Sequence, residues 1–153
     1  NEYTVENAEV GRHKLQVSAK NGDIDQGMYI EYTVFDQPKI NMSITLPEEV
    51  FYNQAFDTRI TMDKDSFGTP VNVTVSIQAG NFVQEITLDD LAGKQDIVVP
   101  MNSKGFTFNE PISITVTWYD ESDESFKKQD TVTLSVKPNS FWDKVVMFIN
   151  KIF

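Results

Sequence analysis

The segment PISITVTWYDESDESFKKQDTVTLSVK, residues 111–137, decides the fold class of this chain. Its apolar residues alternate with Ser and Thr on both sides of an acidic turn: Ile112, Ile114, Val116 and Trp118 before it, and Val132, Leu134 and Val136 after it. A period of two places successive side chains on opposite faces of a strand. We therefore predict an antiparallel hairpin that buries one face and exposes the other.

Upstream of this hairpin, five short segments alternate apolar and polar residues in the same way, at residues 39–46, 56–62, 71–77, 82–88 and 97–99. Short strands at this regular spacing, separated by turn residues, are typical of a β-sandwich. Together with the hairpin they give seven strands. Residues 38–137 are therefore predicted to form one all-β, antiparallel sandwich domain.

Residues 1–37 repeat the plan of that hairpin around the turn Asn21-Gly22-Asp23. Two interpretations remain open, because these residues are either the last strands of a preceding repeat or an extra strand pair added to the sandwich. A pair of strands is only marginally stable alone, so both interpretations require it to dock on something. Such a pair also fits self-assembly by strand addition to a neighbouring subunit.

The tail, residues 138–153, changes from the strand period to the helical period. Its apolar residues recur at helical spacing: Phe141, Trp142, Val145, Phe148, Ile149, Ile152 and Phe153. Ser140 and Asp143 have the spacing of a helix N-cap. Thirteen helical residues reach about 20 Å, less than the ~30 Å hydrocarbon core of a bilayer. Residues 139–153 are predicted to contact a membrane or other protein subunits: they would lie in the membrane interface, begin a transmembrane span or pack on a partner helix, with packing on the chain's own domain as the alternative.

The composition excludes several classes of function. The formal net charge is −10, so most of the surface repels nucleic acid, and we predict no nucleic-acid partner. The chain has no cysteine, which excludes disulfides, thiolate metal sites and cysteine nucleophiles. It has neither a nucleophile elbow nor a Gly-rich phosphate loop, and His13 is its single histidine. We predict that the chain is not an enzyme and uses no cofactor, with calcium as the one ion to consider.

The calcium candidate is the acidic loop Asp120-Glu121-Ser122-Asp123-Glu124-Ser125. Asp120, Asp123 and Glu124 would supply carboxylate oxygens, the ligands that Ca²⁺ prefers. An ordinary exposed acidic turn explains the same residues without a metal. The segment Asn21-x-Asp23-x-Asp25 starts like an EF-hand loop, but Tyr32 stands where that loop needs its bidentate Glu.

Three further features predict surface chemistry. Asn41 and Asn72 each begin a glycosylation sequon, Asn41-Met42-Ser43 and Asn72-Val73-Thr74, and strand parity points both side chains to solvent. The pair Trp118-Tyr119 either ends a core strand or forms a platform for stacking a sugar. His13 shares a face with apolar neighbours, which favours a strand residue over a metal ligand.

The order of alternating strands, closing hairpin, Pro138 and apolar helix resembles the immunoglobulin-like modules of archaeal and bacterial surface proteins, including S-layer-associated and cell-adhesion-related domains. The resemblance covers residues 38–137 and implies a location outside the cell or at its surface, with association to the membrane. A membrane-anchoring segment often follows such modules, and here that place is taken by residues 141–153. The chain departs from antibody domains, because it lacks the cysteine pair and has no Trp in residues 71–77.

We therefore predict a non-enzymatic, extracytoplasmic structural or interaction module, such as a component of a stalk, surface layer or filament. Its C-terminal helix would contact a membrane or a partner subunit. One alternative is an adhesion module that binds carbohydrate or calcium. The other is an accessory β-domain of a larger complex.

Overall fold

The structure, a computed structural model, describes residues 9–22 and 24–152, without the side chains of residues 20, 21, 24 and 25. The described residues form ten β-strands followed by one α-helix. The strands are β1 Gly11–Asn21, β2 Ile24–Val34, β3 Ile40–Thr45, β4 Glu49–Phe51, β5 Ala55–Lys64, β6 Val71–Ala79, β7 Phe82–Asp90, β8 Gln95–Asn102, β9 Asn109–Tyr119 and β10 Ser125–Lys137. The helix, α1, covers Phe141–Ile152.

Two sheets build the main body. One contains β4, β10, β9, β6 and β7 in that order, and the other contains β3, β5 and β8. Successive side chains of a strand point to opposite faces, so every second side chain of the central strands enters one shared core. Val75 of β6, Ile114 of β9 and Ile60 of β5 are examples, and all three are fully buried. The predicted β-sandwich is confirmed, and the hairpin of residues 111–137 forms the centre of its larger sheet.

The sandwich has eight strands, so the predicted number of seven was wrong. The extra strand, β4, has three residues and a single buried side chain, Val50, which is too short to show a period. It pairs in parallel with the end of β10, where Val136 lies opposite Val50. The larger sheet is therefore mixed, and the prediction of a purely antiparallel sandwich also needs this correction.

Strands β1 and β2 form a separate antiparallel sheet of two strands. Gly22, at the predicted turn, has a positive φ of 58°, a conformation that glycine adopts without strain. Asp23 of the same turn lies outside the described residues. Within the described part of the chain, neither strand pairs with a strand of the sandwich.

The pairing of β6 with β9 defines two ends of the sandwich. Val71 pairs with Tyr119, so the loop before β6 and the acidic turn after β9 lie at one end. Gln78 pairs with Ser113, so the β6–β7 turn and the start of β9 lie at the other end. The end of β10 reaches this second end, because Ser135 pairs with Asn109, and the chain then enters α1. The nine residues of β6 separate the two ends by about 30 Å.

Candidate interaction surfaces

The helix α1 begins at a well-formed cap. The backbone N–H of Asp143 donates to Ser140 Oγ at 3.2 Å, and the N–H of Asn139 donates to Asp143 Oδ2 at 3.0 Å. This reciprocal arrangement confirms the cap that the sequence predicted. Asn139 Nδ2 also donates to the carbonyl oxygen of Tyr52 at 3.1 Å, which fixes the start of the helix to the sandwich.

Met147 attaches α1 to the sandwich. It is the buried residue of the helix, with 0% of its surface exposed, and it belongs to the main core cluster. Asp143 and Asn150 lie four residues before and three residues after Met147, so all three share one side of the helix, and the two polar residues are half-buried. The helix therefore docks through a mostly polar side that contains one methionine.

The predicted apolar residues lie on a different side of α1, and most of them face outward. Phe141 and Trp142 are 73% and 74% exposed. Phe148, Ile149 and Ile152 are also exposed, while Val145 is half-buried beside Phe108 and Phe153 lies outside the described residues. We call the five exposed residues the outer stripe of α1: Phe141, Trp142, Phe148, Ile149 and Ile152. A terminal helix that covered its own domain would bury this stripe, and α1 leaves it in solvent.

The loop beneath α1 is braced by Glu110, a residue that the sequence did not single out. Its side chain is 4% exposed, and its Oε2 accepts hydrogen bonds from Thr107 N at 2.8 Å and Thr107 Oγ1 at 2.9 Å. Glu110 lines a groove together with Ile149 and Asn150 of the helix. No sequence signal distinguishes Glu110 from the surface acids, since its role depends on a loop that folds back onto it.

A second apolar surface lies on the hairpin of β1 and β2. Leu15 pairs with Ile30 and Val17 pairs with Met28, so these four side chains share one face of the ribbon. All four are exposed, and Met28 is 59% exposed. We call them the hairpin face. The alternation that produces a core face elsewhere in the chain here produces a face that no other described residue covers.

The hairpin is tied to the sandwich at the end opposite α1. Asp36 Oδ1 accepts hydrogen bonds from the backbone N–H groups of Phe67 at 2.7 Å and Gly68 at 3.0 Å. The hydrogen bond from Gly68 is the largest cause that lowers the pKa of the Asp36 carboxyl below its ordinary value, and the bond from Phe67 adds to it. Desolvation raises the same pKa, but by less than the hydrogen bonds lower it. The rings of Phe35 and Phe67 also contact each other, with centroids 5.9 Å apart. We call this contact of Asp36 with Phe67 and Gly68 the clasp. A Cβ at Gly68 would lie 2.5 Å from the carbonyl oxygen of Asp36, so the clasp requires glycine.

The acidic loop is organised by its own first carboxylate. Asp120 Oδ1 accepts hydrogen bonds from the N–H groups of Ser122 and Glu124, both at 2.8 Å. Asp123 has a positive φ of 64°, which closes the turn. Across residues 9–22 and 24–152, no group of three or more His, Cys, Asp or Glu side chains is arranged to hold a metal ion. Calcium binding stays a prediction, and the melting temperature with Ca²⁺ and with a chelator checks it.

Trp118 is not a sugar platform. It is 5% exposed, its ring stacks on Phe126 at 6.0 Å, and its Nε1 donates to the carbonyl oxygen of Pro38 at 2.8 Å. The side chain therefore ends a core strand, which was the other interpretation of the sequence. It also secures the segment that connects the hairpin to β3. Tyr119, its neighbour, points to the opposite side and is exposed.

The remaining predicted residues lie on strand surfaces. Asn41 on β3 and Asn72 on β6 are both exposed, as strand parity predicted, and their glycosylation stays a prediction. Asn72 has a positive φ of 51° where the register between β6 and β9 shifts. His13 is half-buried, stacks on Tyr32 with centroids 5.3 Å apart, and its Nε2 contacts the carbonyl oxygen of Glu9.

The fold and these surfaces define a β-sandwich module that presents one apolar surface at each end. No protein-family model and no curated protein matches the chain. Within the described residues, α1 falls short of the length and apolar content that crossing a membrane requires.

Solved structures show distant similarity. The chain is similar to the CARDB domain of a Pyrococcus furiosus protein in complex with di-metal ions, with 20% identity and a TM-score of 0.49 over 70% of this chain and 100% of that one. It is also similar to a cohesin module from a Clostridium perfringens family 33 glycoside hydrolase, with 11% identity and a TM-score of 0.47 over 65% of this chain and 98% of that one. The strand pairing of the chain itself defines it as a sandwich.

Proposed function

We propose that this chain is a non-enzymatic, extracytoplasmic structural or interaction module, and that the outer stripe of α1 contacts a membrane surface or a partner protein. The observation that carries the proposal is the orientation of the helix. Met147 holds α1 on the sandwich from one side, while Phe141 and Trp142 project into solvent from the other.

The size of the outer stripe supports this role. Phe148 is 59% exposed, Phe141 73% and Trp142 74%. An aromatic side chain buries about 150–250 Å² when covered, so these three present about 400 Å² of apolar surface. The largest apolar patch on an ordinary monomer is about 300–600 Å² and is often functional. The stripe is of that size before its aliphatic residues are added.

The charge of the chain affects which surface it prefers. Lys144 and Lys151 of α1 are exposed and suit the headgroup region of a membrane. The formal net charge of −10 opposes binding to anionic lipids, because the rest of the chain is repelled. Contact with a neutral lipid surface or a protein is therefore favoured over contact with an anionic one.

Trp142 makes the proposal testable without a label. The chain has two Trp residues, and Trp118 is already buried, so a blue shift in emission reports burial of Trp142. We expect a blue shift with phosphatidylcholine vesicles or with rising protein concentration, and no such shift in a Trp142→Phe variant. An emission maximum that stays at the exposed position under both conditions would overturn the proposal.

A further inference from the structure

The hairpin face needs a cover that the described part of the chain does not supply. A ribbon of two strands is marginally stable in water unless its apolar face packs on another layer. Leu15, Val17, Met28 and Ile30 form that face, and all are exposed. The charged pair Lys14 and Glu31, whose side chains are 3.6 Å apart, lies on the opposite face. The ribbon is thus amphipathic, with a solvated side and an uncovered apolar side.

In width and length, α1 fits on the ribbon of β1 and β2. A helix is about 10 Å in diameter, and two paired strands with their side chains have a similar width. The twelve residues of α1 span about 18 Å, which fits within the length of the eleven-residue strands β1 and β2. Within one copy, α1 and the attachment of the hairpin lie at opposite ends of the sandwich, whose strand β6 is about 30 Å long.

We propose that α1 of one copy of this chain docks its outer stripe on the hairpin face of a second copy. This proposal rests on the proposed function, since it names the partner that α1 contacts. The two surfaces are different and lie at opposite ends, so the contact is head-to-tail. Contacts of this kind do not close on themselves when repeated by translation, and they build open filaments.

The area available is sufficient for a specific contact. The aromatic residues of the outer stripe present about 400 Å². Ile149 and Ile152 bring the stripe to about 500 Å², and the four residues of the hairpin face present about 200 Å². An interface buries about equal areas on its two sides, so a fully covered stripe corresponds to a total of about 1,000 Å², with His13, Ala19, Gln26 and Tyr32 on the same side of the ribbon completing the hairpin surface. That is the minimum area expected of a specific protein–protein interface, and it suits an association that depends on concentration.

Two copies, each with a formal net charge of −10, repel each other at long range, and this repulsion is screened beyond about 8 Å at physiological salt. The contact itself buries no charged residue of the hairpin. On the side of the ribbon that carries the hairpin face, no residue with a described side chain is Asp, Glu, Lys or Arg. The whole chain has 36 acidic and basic residues. Lys144 and Lys151 border the outer stripe next to Phe148, and their long side chains can keep the ammonium groups in water when the stripe docks. An interface without a buried unpaired charge avoids a desolvation cost of several kcal/mol per ion.

Mixing two variants tests the head-to-tail geometry. Phe148→Asp disables the outer stripe, and Ile30→Lys disables the hairpin face. By sedimentation velocity we expect wild-type mass to rise with concentration beyond a dimer, and each variant alone to stay monomeric. Mixed together, the variants should form a 1:1 dimer and nothing larger, because each keeps one working surface. Thr33→Lys on the opposite hairpin face and Val83→Asp on β7 are the exposed controls and should assemble like wild type.

The mixing experiment is expected to give the same dimer even if Ile30→Lys unfolds its own hairpin. If Ile30→Lys unfolds the hairpin, the α1 of that variant still docks on the intact hairpin of the Phe148→Asp chain. A mixture that stays monomeric would overturn the proposal, as would an Ile30→Lys chain that dimerises alone through its helices. A wild-type chain that is monomeric at every concentration, yet shows the Trp142 blue shift on vesicles, would overturn this inference and leave the proposed function standing.

Discussion

Substituting Met147 by Ala should release α1 from the sandwich without unfolding the sandwich. Met147 is fully buried, and the residues that share its side of the helix, Asp143, Lys144, Asn150 and Lys151, are polar. Truncation of a buried Met to Ala costs about 2–5 kcal/mol, and the low end applies where the structure can adjust. Because α1 is a short terminal element, it can adjust by undocking.

The expected cost is therefore about 2 kcal/mol, which lowers the ratio of docked to undocked helix about 30-fold. A free helix of twelve residues is marginal in water, so an undocked α1 also loses its backbone hydrogen bonds. Amide hydrogen exchange separates this local opening from global unfolding.

We expect amides of residues 145–152 to exchange about 30-fold faster in the Met147→Ala variant, while those of β6 and β9 keep their protection. Val146→Ala, which removes an exposed side chain next to Met147, should change stability by less than about 0.5 kcal/mol. Unchanged protection of α1 in Met147→Ala would refute the reasoning, because another contact would then hold the helix. Equal loss of protection in helix and strands would refute it too.

Three further predictions concern the connection between the hairpin and the sandwich. Trp118→Phe removes the hydrogen bond to the carbonyl of Pro38 and should cost about 1–3 kcal/mol, measured as a lower denaturant midpoint with an unchanged slope. Gly68→Ala places a Cβ against the backbone of Asp36 and should shift the amide resonances of this clasp, whereas Gly93→Ala, in open space, should not. The clasp of Asp36 should be fully formed above the ordinary carboxyl pKa of 3.8 and be lost as pH falls through the lower pKa of the folded state; a Phe67 amide that titrates at or above 3.8 would contradict this.

The strands of the sandwich were predictable because burial of one face imposes a period of two. Val73, Val75 and Ile77 of β6 show the period clearly, and all three are fully buried. Strand β4 was not predictable, because its three residues form a strand only by pairing with the end of β10. Its pairing joins Val50 to Val136, far along the chain, and no local pattern in three residues records such a contact.

The apolar surfaces show the limit of the same reasoning. Periodicity finds the apolar side of α1, but it does not determine which side docks, and the sandwich takes the side that contains Met147. That methionine was missed because it lies among Asp143, Lys144 and Asn150, which mark a polar side. The period of the hairpin likewise identifies Leu15 and Ile30 as one face without showing whether another layer covers it.

Thiol labelling tests the central claim, that the outer stripe of α1 faces away from its own sandwich, most directly. The chain has no cysteine, so a single introduced thiol gives an unambiguous rate. In dilute protein, Trp142→Cys and Phe148→Cys should react as fast as a thiol in an unstructured peptide, while Val75→Cys in the core should react only on unfolding. Protection of both helix positions to the level of Val75→Cys would show that the stripe packs on its own domain, and would contradict the account.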